Sequence, residues 1–131
     1  MYGQEHGDVA NSYNNLGVVC NHIGQHDQAK EFHEKALNIR IKLYGEEHGD
    51  VARSYYNLGV VCKNIGQHDQ AKEFHKKALK IRIKLYGEEH GKVADGYLLL
   101  GRVYADIGEH HRAREFFAKK WKALKRKISG N

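Results

Sequence analysis

Apolar residues recur along this chain at helical spacing, in paired runs punctuated by glycine. Val9, Tyr13, Leu16, Cys20 and Ile23 follow one another at three- and four-residue steps until Gly24-Gln25-His26 interrupts them. A second run, built on Ala29, Phe32, His33, Ala36, Leu37, Ile39, Ile41 and Leu43, stops before Gly45. Two amphipathic runs joined by a short glycine turn predict a helical hairpin. The same pattern returns twice, with helices expected near 50–65 and 69–86, then near 92–107 and 111–128. No segment alternates with the period of two that a half-buried strand requires, so no sheet is expected.

The hairpins are copies of one another with a period of 42 residues. Residues 5–46 and 47–88 differ only at Asn11/Arg53, Asn14/Tyr56, Asn21/Lys63, His22/Asn64, Glu34/Lys76 and Asn38/Lys80. A more diverged third copy, 89–131, keeps Val93-Ala94, Tyr97, Leu100-Gly101, Val103, Ile107-Gly108, Ala113 and Glu115-Phe116. A fixed period of this length means stacked supersecondary units, each burying its apolar face on its neighbours. The expectation is one all-α array over 1–131, with six helices in three hairpins and the last helix, about 111–128, as its cap.

The residues then carry a resemblance. Tyr97-x2-Leu100-Gly101-x2-Tyr104 with Gly108, Ala113 and Phe117 resembles the tetratricopeptide signature, and Tyr13-x2-Leu16-Gly17-x2-Cys20 with Gly24 and Ala29 is a looser version. The second helix is about two turns longer than in the common form. That length, with the junction Leu43-Tyr44-Gly45-Glu46-Glu47-His48, resembles the 42-residue subclass of kinesin light chains and nephrocystin-3-like proteins. The resemblance implies a right-handed solenoid. It departs from that subclass in having Gly7, Gly49 and Gly91 where Pro usually follows the junction His, and no Pro anywhere. Pro pre-organises a helix start, so three parallel replacements predict looser junctions, as design or recent amplification of one unit would produce. Tyr2 to His6 reads as the tail of a preceding unit, with the chain expected to begin mid-array.

Composition narrows the function classes. With 40% hydrophobic and 29% charged residues the chain has the balance of a soluble folded protein. No apolar run approaches the ~20 residues of a membrane span, and no leader precedes the first copy. A cytoplasmic location without membrane partners is expected. Cys20 and Cys62 occupy the same place in successive copies, so roughly 10 Å should separate them, beyond disulfide reach. They read as small buried apolar residues.

Catalytic chemistry has no carrier here. The glycines are isolated rather than gathered in a phosphate-cradling loop, and Ser12 and Ser54 lack a matched base and belong to the helix repeat. Ten histidines raise a metal reading. His26, His68, His110, His33 and His75, however, fall where the tetratricopeptide pattern usually has aromatic residues, and read as interhelical packing. His6, His48 and His90 stand one per junction, too far apart for the close tetrahedral set zinc needs. No cofactor and no metal site is expected.

Two surfaces remain as candidates. Four of the six differences between the first copies lie on one face of the first helix. The resemblance places that face on the concave side, where tetratricopeptide proteins hold extended peptides. The implied groove comprises Asn11, Asn14, Asn15, Val18, Asn21 and His22 in the first copy. Arg53, Tyr56, Asn57, Val60, Lys63 and Asn64 line it in the second, and Asp95, Leu98 and Arg102 in the third. Asparagine both donates and accepts, which suits a peptide backbone. The carboxylate clamp of some chaperone-binding relatives is not reproduced, since Val18, Asp95 and Leu99 stand where polar or basic groups are needed. The other surface is the last helix. From Arg112 onward eight Lys/Arg accompany one acid, Glu115, and the whole net charge of +6 lies there. Its stripe Ala113, Phe117, Trp121, Leu124 and Ile128 reads as a cap turned inward. The alternative is a basic surface of Lys119, Lys122, Lys125, Arg126 and Lys127 for nucleic acid or an anionic membrane, disfavoured beside the cap. Finally, Val9, Tyr13 and Val19 face the side on which a preceding hairpin would sit. That predicts self-association through the first copy.

Overall fold

The computed structural model describes residues 2–129, with side chains over 6–125. Its elements are α1 (Tyr2–His22), α2 (His26–Tyr44), α3 (Gly49–Asn64), α4 (His68–Tyr86), α5 (Gly91–Asp106) and α6 (His110–Ser129), with no strand among the described residues. Helices pair as α1·α2, α3·α4 and α5·α6, and the pairs stack through α2·α3 and α4·α5. This is the expected solenoid of three hairpins. Tyr2 to His6, read from sequence as the tail of another unit, is continuous with α1. None of the helices, over the described residues, is long and apolar enough to cross a membrane.

Each hairpin turn closes in the same way. Gly66 takes φ 80. Its N–H reaches the Lys63 carbonyl at 3.0 Å and the following Gln67 N–H reaches that of Cys62 at 2.8 Å. This pair of reverse bonds satisfies the last carbonyls of α3 and needs a residue free to enter left-handed φ. The turns at Gly24 and Gly108 repeat the geometry. Inside each hairpin a second glycine lets the helices touch. A Cβ built on Gly59 would lie 2.5 Å from the His75 ring, on Gly17 2.6 Å from His33, and on Gly101 2.5 Å from Phe117. The expected packing role of His33 and His75 is therefore met by a ring laid against bare backbone. His26 and His68 are half-buried, with the Nδ1 of His68 enclosed, and only His110 is exposed, outside the packing role expected of it.

The junctions are firmer than three glycines suggest. His48 caps α3, its Nδ1 accepting the Asp50 N–H at 3.0 Å, and His90 caps α5 through the Lys92 N–H at 3.1 Å. Their rings stack on Tyr44 and Tyr86, with centroids 4.3 and 4.6 Å apart. A side-chain acceptor at a helix start satisfies a donor that the helix leaves open, which compensates for the missing Pro.

The core is a chain of interfaces. Leu37 of α2 packs with Val51, Ala52 and Leu58 of α3 and Ile81 of α4, and Leu79 of α4 packs with Val93, Tyr97 and Leu100 of α5. Cys20 joins Ala29 and Val61, while Cys62 joins Ala71 and Val103. Both thiols are free and buried, and burial pushes the Cys62 thiol up from its ordinary value. Identical residues fare differently by copy. Val51, Leu58 and Val61 are buried, whereas their equivalents Val9, Leu16 and Val19 stay 45%, 47% and 56% exposed because no α2-like helix covers them. The opposite end corrects the expected inward stripe of α6. Ala113 and Ala123 are buried and the Phe117 ring lies against Gly101 although 37% exposed, but Trp121 is 66% exposed. Trp121 stands 84 residues after Leu37 and 42 after Leu79, at the place that faces the next hairpin rather than its own. Ile128 lies outside the residues whose side chains are described.

Candidate ligand-binding groove

The first helices of the hairpins present one surface, joined by side chains a repeat apart. Asn57 Nδ2 donates to Asn14 Oδ1 at 2.9 Å, Asn64 Nδ2 donates to Asn21 Oδ1 at 2.9 Å, and Lys63 Nζ lies 4.0 Å from Asp106. Asn21 Oδ1 also lies 2.8 Å from His26 Nδ1. These pairs run across α1, α3 and α5 and bring together the groove residues read from sequence. Asn11, Asn15, Val18, His22, Arg53, Asn64, Asp95 and Arg102 are exposed on it, and Tyr56, Asn57, Val60, Lys63 and Leu98 are half-buried.

Asn14 is the exception, and its environment exposes a group that sequence reasoning missed. It is 7% exposed and belongs to the polar shell of Arg40, a guanidinium buried to 1% between the first two hairpins. Arg40 Nη1 donates to Ser54 Oγ at 2.9 Å, to the Asp50 carbonyl at 3.3 Å and to Asn14 Oδ1 at 3.4 Å, and Nη2 donates to Asn11 Oδ1 at 3.0 Å. A buried cation is tolerable only with such bonds. Burial, and after it the Arg53 charge, still depresses the guanidinium below its ordinary value. The signal was available in the sequence. Arg40 continues the inward spacing Ala29, His33, Ala36, a polar residue on an apolar stripe. A near-neutral effect of Asn14→Ala, which a freely exposed groove residue would show, is replaced by an expected loss of about 1–3 kcal/mol. Asn15→Ala, one residue along on the exposed side, should cost less than about 0.5 kcal/mol. Urea melts of the two variants compare them directly, and equal small losses would refute the role given to Asn14.

The basic surface is less free than its charge suggests. Lys119 Nζ lies 5.9 and 5.2 Å from the ring centroids of Tyr97 and Phe116. Lys122 borders a small cleft with Glu88 and Glu89. Lys125 is exposed, and Arg126 and Lys127 lie outside the residues whose side chains are described. No cluster of His, Cys, Asp or Glu fit to hold a metal occurs among the described residues.

Comparison with known proteins agrees with this architecture. A family model for the tetratricopeptide repeat matches residues 8–84 and 63–119. No curated protein matches the sequence. Among solved structures, BtubC (BKLC) from P. vanneervenii is 28% identical with a TM-score of 0.84, over 88% of this chain and 46% of that one. A kinesin light chain candidate from Podosopora anserina with nearly identical TPR-like repeats is 22% identical with a TM-score of 0.81, over 93% and 57%. The TPR domain of Arabidopsis FLU shares the fold at 16% identity, with a TM-score of 0.82 over 92% and 98%. The chain thus spans about half the length of the first two. Its repeats, its Gly-to-ring contacts and the family model that covers them place the chain in the tetratricopeptide repeat family.

Proposed function

We propose that the protein is a non-catalytic scaffold that holds an extended protein segment along a concave face made by α1, α3 and α5. Tetratricopeptide repeats generally mediate protein–protein interaction. The observation that carries the finer reading is the continuous line of pairs from Asn14–Asn57 through Asn21–Asn64 to Lys63–Asp106. It fixes three helices at one level and leaves amide groups, with Val18 and Val60 between them, facing a ligand. Side-chain amides bracket a peptide backbone without demanding a sequence. The buried cysteines suit a reducing compartment such as the cytoplasm.

A peptide-library pull-down with the intact array is the test. Hits should persist at raised salt and weaken by roughly tenfold in Asn57→Ala/Lys63→Ala. Binding that is confined to nucleic acid, falls steeply with salt and depends on Lys122 and Lys125 would overturn the scaffold reading. The exposure of Val9, Leu16 and Val19 on α1 and of Ile23 in the turn after it favours, as a second reading, concentration-dependent self-association through that face. Sedimentation showing only monomer at high micromolar concentration removes it.

A further inference from the structure

Arg40 and Arg82 hold the same place in successive hairpins, and both are buried, but only Arg40 has hydrogen-bond acceptors. The positions that serve Arg40 are Asn11, Asn14 and Ser54. One repeat later they are Arg53, Tyr56 and Gly96. Arg82, 8% exposed, makes no hydrogen bond or ion pair with any described residue, and its guanidinium lies 5.0 Å from the centroid of the Tyr56 ring. The acid at the start of α3, Asp50, is likewise replaced by Lys92 at the start of α5. These changes each remove an acceptor or add a cation; the one opposing change puts Asp95, which acts on Arg82 only through its charge and makes no hydrogen bond or ion pair with it, at the place Arg53 holds beside Arg40.

These groups share a space. Arg82, Arg53 and Lys92 border an open cleft of about 500 Å³, with Asp50, Glu47 and Tyr86 among its other walls. Glu47 pairs outside the cleft, with Lys84 at 2.7 Å, while Asp50 lies inside it 3.6 Å from Arg53, so Arg53 is shared between that half-exposed pair and any bound anion. The guanidinium nitrogens of Arg82, unlike the enclosed Nε of Arg40, are not sealed from solvent, so their donors stay open toward the cleft. A planar fork of N–H groups backed by two further cations is matched to an oxyanion.

We propose that the cleft at the second junction is an oxyanion-binding site, in which Arg82 takes a carboxylate or phosphate group and Arg53 and Lys92 supply the surrounding positive charge. The ring of Tyr56 holds the guanidinium plane in place, as cation–π contacts do. Arg40 is the built-in control, being the same residue in the same setting with both Nη groups hydrogen-bonded and its Nε sealed from solvent in the core.

The experiment follows the side-chain Nε–Hε resonances of Arg40 and Arg82 in the intact chain. Sodium acetate and inorganic phosphate are titrated at constant ionic strength, with chloride as the reference anion. Saturable shifts are expected at Arg82 and not at Arg40. The anion that saturates at lower concentration identifies the source as a carboxylate or a phosphoryl group. Arg53→Asn/Tyr56→Asn, which restores the first-copy residues and so should keep the fold, is expected to weaken binding by roughly tenfold or more. Circular dichroism confirms folding, and Arg82→Lys, retaining charge without the fork, should fall between the two. Absence of saturable shifts at Arg82, equal shifts at Arg40, or full binding by the folded double variant would each overturn the site.

Discussion

Leu58→Ala should lower the unfolding free energy by about 2–5 kcal/mol, whereas Leu16→Ala, the same substitution in a near-identical copy, should cost less than about 1 kcal/mol. Leu58 is fully buried, in a cluster with Leu37, Val51 and Ile81 supplied by three helices. Its truncation leaves a cavity that rigid flanking helices cannot close. Leu16 has the same helix and the same neighbours in sequence but is 47% exposed, so truncation there removes only surface already half in water. Equilibrium urea melts of both variants, with the slope monitored for loss of cooperativity, read the difference. Equal costs would show that the outer face of α1 is covered in solution.

Acid should destabilise the array through two histidines. His33 and His75 are 1% and 2% exposed, and burial first, then the nearby Arg40 for one and Arg82 and Lys63 for the other, lowers each from 6.5 to about 4. The unfolded chain therefore binds more protons than the folded one between those values. The stability contribution is fully present above pH 6.5 and is lost as pH falls through that window toward 4. Each histidine approaches about 1.4 kcal/mol per pH unit, so the pair should cost about 3 kcal/mol or more by pH 4.5. His33→Phe/His75→Phe copies the Phe117 that already lies against Gly101, and also removes the unpartnered His33 Nδ1. It should fold and show a much flatter profile over the same range. A double variant as acid-sensitive as the parent would refute the role given to these two rings.

Periodicity revealed the fold because each hairpin's inward stripe is written three times, and helices found at 49–64, 68–86, 91–106 and 110–129 lie within two residues of those expected. The shared face of the first helices was legible, but not the contacts made across it. Asn14 looked like its neighbour Asn15 until Arg40 was seen to reach it from the following helix, since a single repeat does not say what packs over it. Trp121 misled for the same reason. On a helical wheel it joins the stripe of Ala113 and Leu124, yet its register is that of Leu37 and Leu79, which serve the next unit. The junction histidines were judged by their distance from one another, as metal ligands are. Their work is local, at the helix starts they cap and the tyrosines they stack on.

The placement of the two thiols gives chemistry a way to tell near-identical hairpins apart. Cys20 belongs to a helix with one uncovered side, while Cys62 is enclosed between the second and third hairpins. Alkylation of a buried thiol waits on local opening. The ratio of the two labelling rates therefore measures how far the array frays from its first hairpin, independently of any spectroscopic signal averaged over all three.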